Sequence, residues 1–111
     1  MEYFLILIGG ATGALCRVLI FEVIEKTQLL FSPLGIFSVN ILGCFLLGLL
    51  INLIGPKYEE IYEPLLLMGF LGAFTTFSAF SKETFQLIEQ GNWLAVMSYI
   101  GFTVIGCLLA T

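Results

Sequence analysis

The side chains able to do chemistry in this 111-residue chain are nearly all neutral. Asn40 stands alone in a long apolar run. Thr75, Thr76, Ser78 and Ser81 set four hydroxyls within seven residues, and Tyr99, Thr103 and Cys107 recur at every fourth position. Amides, hydroxyls and thiols of this kind donate and accept hydrogen bonds without carrying charge, so together they could solvate an ion. General acid–base catalysis would need titratable groups paired within reach of each other. The chain has no His and no Asp, and its eight acidic residues are all Glu, none of them set beside a base inside an apolar stretch. We therefore expect no enzyme. The three cysteines, Cys16, Cys44 and Cys107, are far apart and lack C-x-x-C spacing. That pattern argues for small apolar packing rather than a disulfide framework or a zinc site.

The surroundings of these groups sharpen the reading. Asn40 must satisfy an amide in an apolar setting, either by an interhelical hydrogen bond or by lining a polar path. Gly69 and Gly72 precede Ala73-Phe74-Thr75-Thr76-Phe77-Ser78-Ala79-Phe80-Ser81, a poor sequence for an uninterrupted helix. A break there would free carbonyls suited to a hard cation, and a following half-helix whose N-terminus and hydroxyls suit an anion. Phe77 and Phe80 would share one face of that half-helix. Tyr99, Thr103 and Cys107 form a stripe on one helical face, back-bonded to the preceding turn or facing Asn40 across a groove. Gly9 and Gly13 make a small-xxx-small pair for close helix packing. Arg17 would snorkel to headgroups or pair with a carboxylate such as Glu83.

The elements that must hold these residues follow from composition. Hydrophobic residues make up 59% and charged residues 11%, with a mean hydropathy of +1.08, too few charges to coat a water-facing surface. Crossing about 30 Å of hydrocarbon takes about 20 helical residues. The charges leave four stretches of suitable length, predicted as helices over residues 3–21, 34–54, 64–88 with a break near 73–78, and 93–109. All lie in a single membrane domain, 1–111, with most charges in residues 22–32, 55–63 and 89–92. The fold class is thus an all-α integral membrane protein of four transmembrane helices, the third broken near mid-membrane. Met1-Glu2 offers no positive n-region, so the first helix is read as part of the mature chain. Both termini share one side with Lys57, against Arg17, Lys26 and Lys82 on the other, a weak orientation bias. So small a bundle has little interior of its own and is expected to oligomerise. A net charge of −4 argues against nucleic acid.

Three motifs in order resemble the Fluc fluoride channels, also called CrcB proteins. They are Gly9-Gly10-x-x-Gly13-Ala14-x-x-Arg17, Asn40-x-x-Gly43-x-Phe45-x-x-Gly48, and Gly72-Ala73-Phe74-Thr75-Thr76-Phe77-Ser78-Ala79-Phe80 followed by Glu83. The resemblance covers essentially the whole chain. It implies an antiparallel, dual-topology dimer in the cytoplasmic (inner) membrane, formed with a second copy or a homologous partner subunit, with two fluoride pores. It also implies that the crossing third helices hold a structural sodium ion through backbone carbonyls, here those of Gly72 and Thr75. Phe77 and Phe80 match pore phenylalanines whose ring edges face fluoride, and Asn40 matches the pore asparagine. Tyr99 and Thr103 match the polar track of the fourth helix, and Cys107 stands where that track more often has Ser or Thr.

On this reading fluoride is carried by neutral donors: the Asn40 amide, the Thr103 and Ser78 or Ser81 hydroxyls, and the Tyr99 phenol. The positive rims of the Phe77 and Phe80 rings would join them. The competing reading is a small multidrug-type, proton-coupled cation exporter, another four-helix dual-topology dimer. That class is expected to carry a membrane-embedded Glu in its first helix, whereas here Glu2 and Glu22 stand only at its ends.

Overall fold

The computed structural model describes residues 1–27, 32–54 and 56–111, which are helical almost throughout. Helix α1 is Glu2–Thr27 and α2 is Ser32–Leu53. A short 3-10 turn, Pro56–Tyr58, leads into α3, residues 59–74. This helix is α-helical over Glu59–Tyr62, widens to a π-helix over Glu63–Leu71, and tightens again at Gly72–Phe74. Thr75 and Thr76 are extended. Helices α4, Phe77–Glu89, and α5, Trp93–Ala110, complete the chain. Since α3 and α4 lie end to end across the two threonines, four segments are long and apolar enough to cross a membrane: Glu2–Lys26, Leu34–Leu53, Glu59–Glu89 and Trp93–Ala110.

The helices outrun the apolar stretches. Helix α1 continues past Phe21 through Glu22, Glu25 and Lys26, and the third span begins at Glu59 rather than Pro64. Charge ends a hydrophobic run without ending the backbone ladder, and Lys26 sits favourably at the negative end of the α1 dipole. Of the connections expected from sequence, residues 28–31 and Gly55 lie outside the described residues.

Close backbone contact joins α1 to α3. A Cβ on Gly9 would overlap the Leu65 carbonyl, and one on Gly13 would overlap the Phe70 carbonyl. Only hydrogen at these positions lets the helices meet backbone to backbone, which is how membrane helices gain van der Waals contact when lipid is as apolar as they are. Pro64 lies at the second position of the π segment, where it has no N–H to return to the preceding turn.

The apolar exterior is extensive. Phe4, Leu7, Leu15, Phe45, Leu53, Phe85, Leu94, Phe102 and Leu109 are all exposed, which lipid tolerates and water would not. The buried apolar set is small: Ile36, Val39, Leu71, Phe74, Phe80 and Val96. The buried polar residues, Asn40, Thr76, Glu83, Thr84 and Thr103, gather on α2, α4, α5 and the break between α3 and α4.

Candidate functional site

At the break, side chains replace the hydrogen bonds that the helix gives up. In an unbroken helix the Thr76 N–H would go to the Gly72 carbonyl. Here it donates to Asn40 Oδ1 at 2.8 Å, and Asn40 Nδ2 donates back to the Thr76 carbonyl at 3.1 Å. The Thr75 carbonyl accepts from Arg17 Nη1 at 3.3 Å, while the Thr75 N–H and hydroxyl both return to the Leu71 carbonyl. Helix α4 then starts under its own cap, the Thr76 hydroxyl accepting from the Ala79 N–H at 3.2 Å. Irregular backbone survives at membrane depth where protein surrounds it, and here protein partners meet the Thr76 N–H and the Thr75 and Thr76 carbonyls. Gly43 contributes by omission, since a Cβ there would overlap the Thr75 methyl.

Arg17 Nη1 donates to the Thr75 carbonyl at the break, a backbone partner beyond the headgroups and carboxylates expected of it. Glu83 accepts from the Tyr99 hydroxyl at 2.8 Å.

Two cavities lie in line along the groove between α2, α4 and α5. The larger, about 760 Å³, opens near the α4–α5 turn and is lined by Glu83, Gln86, Gln90, Ser98 and Tyr99 among apolar neighbours. The smaller, about 260 Å³, is lined by Asn40, Cys44, Thr76, Phe77, Phe80, Thr103 and Cys107, with Thr75 and Val104. Phe80 lines one and Tyr99 the other, and their rings pack with centroids 5.1 Å apart, so this pair stands between them. Phe77 lies 5.4 Å from Phe80, centroid to centroid.

The small cavity offers neutral donors. The Thr76 N–H fixes which end of the Asn40 amide is oxygen, so the amide keeps a second N–H beyond the one given to Thr76. Thr103 is 6% exposed, yet its hydroxyl has no hydrogen-bond partner among the described residues. A buried hydroxyl left unpaired costs free energy unless something outside the protein's own set of partners completes it.

The structure therefore brings Asn40, Phe77, Phe80, Thr103 and Cys107 to one cavity and sets Tyr99 at its boundary. It does not bring Ser78 or Ser81 there: both are exposed, and Ser78 pairs with the Thr76 hydroxyl at 3.3 Å. The two phenylalanines also part ways, Phe80 being 7% exposed and Phe77 77%. Cys44 lines the cavity without having been singled out from sequence. Its position four residues after Asn40 was the available signal. Gly72 is exposed at the break, with its carbonyl released by the diversion of the Thr76 N–H.

Comparison with known proteins bears on what this site handles. Residues 4–111 match the family described as CrcB-like protein, Camphor Resistance (CrcB). A protein of Magnetococcus marinus named fluoride-specific ion channel FluC is 38% identical over 112 residues, spanning 99% of this chain and 91% of that one. One of the same name from Azobacteroides pseudotrichonymphae is 39% identical over 109 residues, spanning 96% and 87%. Another from Legionella pneumophila is 41% identical over 108 residues, spanning 96% and 81%.

Proposed function

The chain belongs to the CrcB family, and from that membership we propose that it is a fluoride-specific channel, a passive pore that lets fluoride leave the cell down its electrochemical gradient and so limits its toxicity. The observation that carries this reading is the Thr103 hydroxyl, buried and unpartnered in the wall of a cavity that also holds the Asn40 amide and phenylalanine rings. Fluoride gives up water only where other donors replace it. The Thr103 O–H, the spare Asn40 N–H and the positive edges of the Phe77 and Phe80 rings are such donors. None carries a full charge, so the ion is held weakly enough to move on. Tyr99 and Glu83 stand at the boundary toward the larger cavity, which serves as the vestibule.

The working unit on this reading is an antiparallel dimer with two pores in the cytoplasmic membrane. It is supported by the exposure of Gly72, Phe77 and Ser78 at the break, a face whose released Gly72 carbonyl lipid would not satisfy. The Gly72 and Thr75 carbonyls would hold a structural sodium. They fit as hard, neutral oxygens: Gly72 has lost its helical donor, and Thr75 keeps a second lone pair beside the one given to Arg17. Two oxygens from one chain make half a site, so a second copy would supply the rest. The ion would brace the interface and take no part in conduction.

Liposomes loaded with fluoride or chloride test the channel itself. Reconstituted protein should release fluoride under a potential and retain chloride. Fluoride release no faster than from empty vesicles, with folded protein confirmed, overturns the proposal.

A further inference from the structure

Helices α2 and α5 run parallel and in register along the small cavity. Asn40 faces it with Thr103 and, one turn on, Cys44 faces it with Cys107. One turn further, a Cβ on Gly48 would overlap the Thr111 backbone, so the helices close together just beyond the cysteines. Cys44 and Cys107 line one small cavity from opposite helices, and neither is in a disulfide. Two free thiols on separate helices thus converge in a cavity wall, one turn from the unpartnered Thr103 hydroxyl.

We propose that Cys44 and Cys107 form a two-thiolate site for a soft d10 metal cation, and that a metal held there closes the cavity to anions. Thiolate sulfur is the ligand such cations prefer. A divalent ion bridging the pair displaces one proton from each thiol, forming two metal–sulfur bonds and releasing two protons. The product carries no net charge, which suits membrane depth. Metal at this level fills the path between the Asn40–Thr103 level and the constriction at Gly48 and Thr111. The binding half of the proposal stands on the thiol pair alone, whereas the closing half rests on the cavity being the fluoride path.

Mercuric ion is the probe, used on full-length protein carrying Cys16→Ala so that only the paired thiols remain. Purified protein should take up one Hg(II) per chain and lose both thiols to a colorimetric thiol reagent. A competing monothiol should need about 100-fold higher concentration to strip the metal than it does from the same protein carrying Cys44→Ser or Cys107→Ser, because the second sulfur binds intramolecularly. Uptake of two Hg(II) per chain, or equal stripping with one thiol or two, overturns the site. In liposomes the metal should stop fluoride release, and a dithiol chelator should restore it. Bridged metal with undiminished release overturns the closing role. Absence of fluoride release without metal counts against the channel reading and leaves the stoichiometry to decide the site.

Discussion

Asn40 and Thr76, 36 residues apart in sequence, exchange two hydrogen bonds through the side chain of one and the backbone of the other. The amide occupies both backbone groups that an extended residue exposes, so α2 holds the break open from the side. Asn40 is at once a brace for the irregular backbone and a donor to the cavity.

Replacing it should separate those roles poorly and the backbone cost should dominate. Asn40→Ala leaves the buried Thr76 N–H and C=O unpaired, at about 1–3 kcal/mol each. Thermal unfolding in detergent should show a marked loss of stability together with lost fluoride flux. An unchanged unfolding midpoint would show that the break does not depend on the amide.

Thr103 should behave in the opposite way. Its hydroxyl has no partner among the described residues, so Thr103→Val removes no bond seen there and should leave the unfolding midpoint the same or higher. If the hydroxyl serves the ion, its loss forfeits about 1.4 kcal/mol or more of ion stabilisation, or about tenfold in flux. Thr103→Ser should restore much of it. Equal flux in all three proteins would remove Thr103 from the conduction path.

Phe77 and Phe80 should divide along their burial. Phe80 packs on Tyr99 and is buried, so Phe80→Ile should lower both flux and stability, the latter by about 1–3 kcal/mol. Phe77 is mostly exposed within the single chain, so Phe77→Ile should reduce flux while the unfolding of protein kept monomeric in detergent barely changes. Undiminished flux in both variants would refute their pore role.

Gly13 tests the helix contact on the far side of the molecule. A methyl group there would overlap the Phe70 carbonyl, a backbone atom that cannot turn aside. Gly13→Ala should cost about 1–3 kcal/mol, read as a lower unfolding temperature, and Gly13→Leu should abolish a monodisperse elution peak. Gly101, where an added Cβ meets nothing within 4 Å, should accept alanine with no such loss.

The four spans were legible because charge and apolar length are local properties of the sequence. The break could be read for the same reason: glycine, adjacent threonines and clustered hydroxyls announce it in place, and it falls at Thr75 and Thr76. What holds the break could not be read that way. Arg17 and Thr75 are 58 residues apart, and nothing near Arg17 distinguishes a backbone carbonyl from a headgroup as its partner. Helical spacing placed Phe77 and Phe80 on one face but could not tell which would be covered, since that depends on α5 swinging Tyr99 over Phe80. Cys44 was passed over because a thiol among leucines reads as packing until a second thiol is found opposite it.

The π-helical stretch Glu63–Leu71 also sets the angular phase of everything after it. Each residue of an α-helix advances the chain by roughly 100°, and a π turn absorbs an additional residue per turn. Rewinding the same residues as a regular helix would rotate the second half of the span like a dial. Thr76 would turn away from Asn40, and Thr75 from Arg17. The wide turn thus acts as an indexing device, and straightening it would change which partner the break addresses without altering any residue of the break.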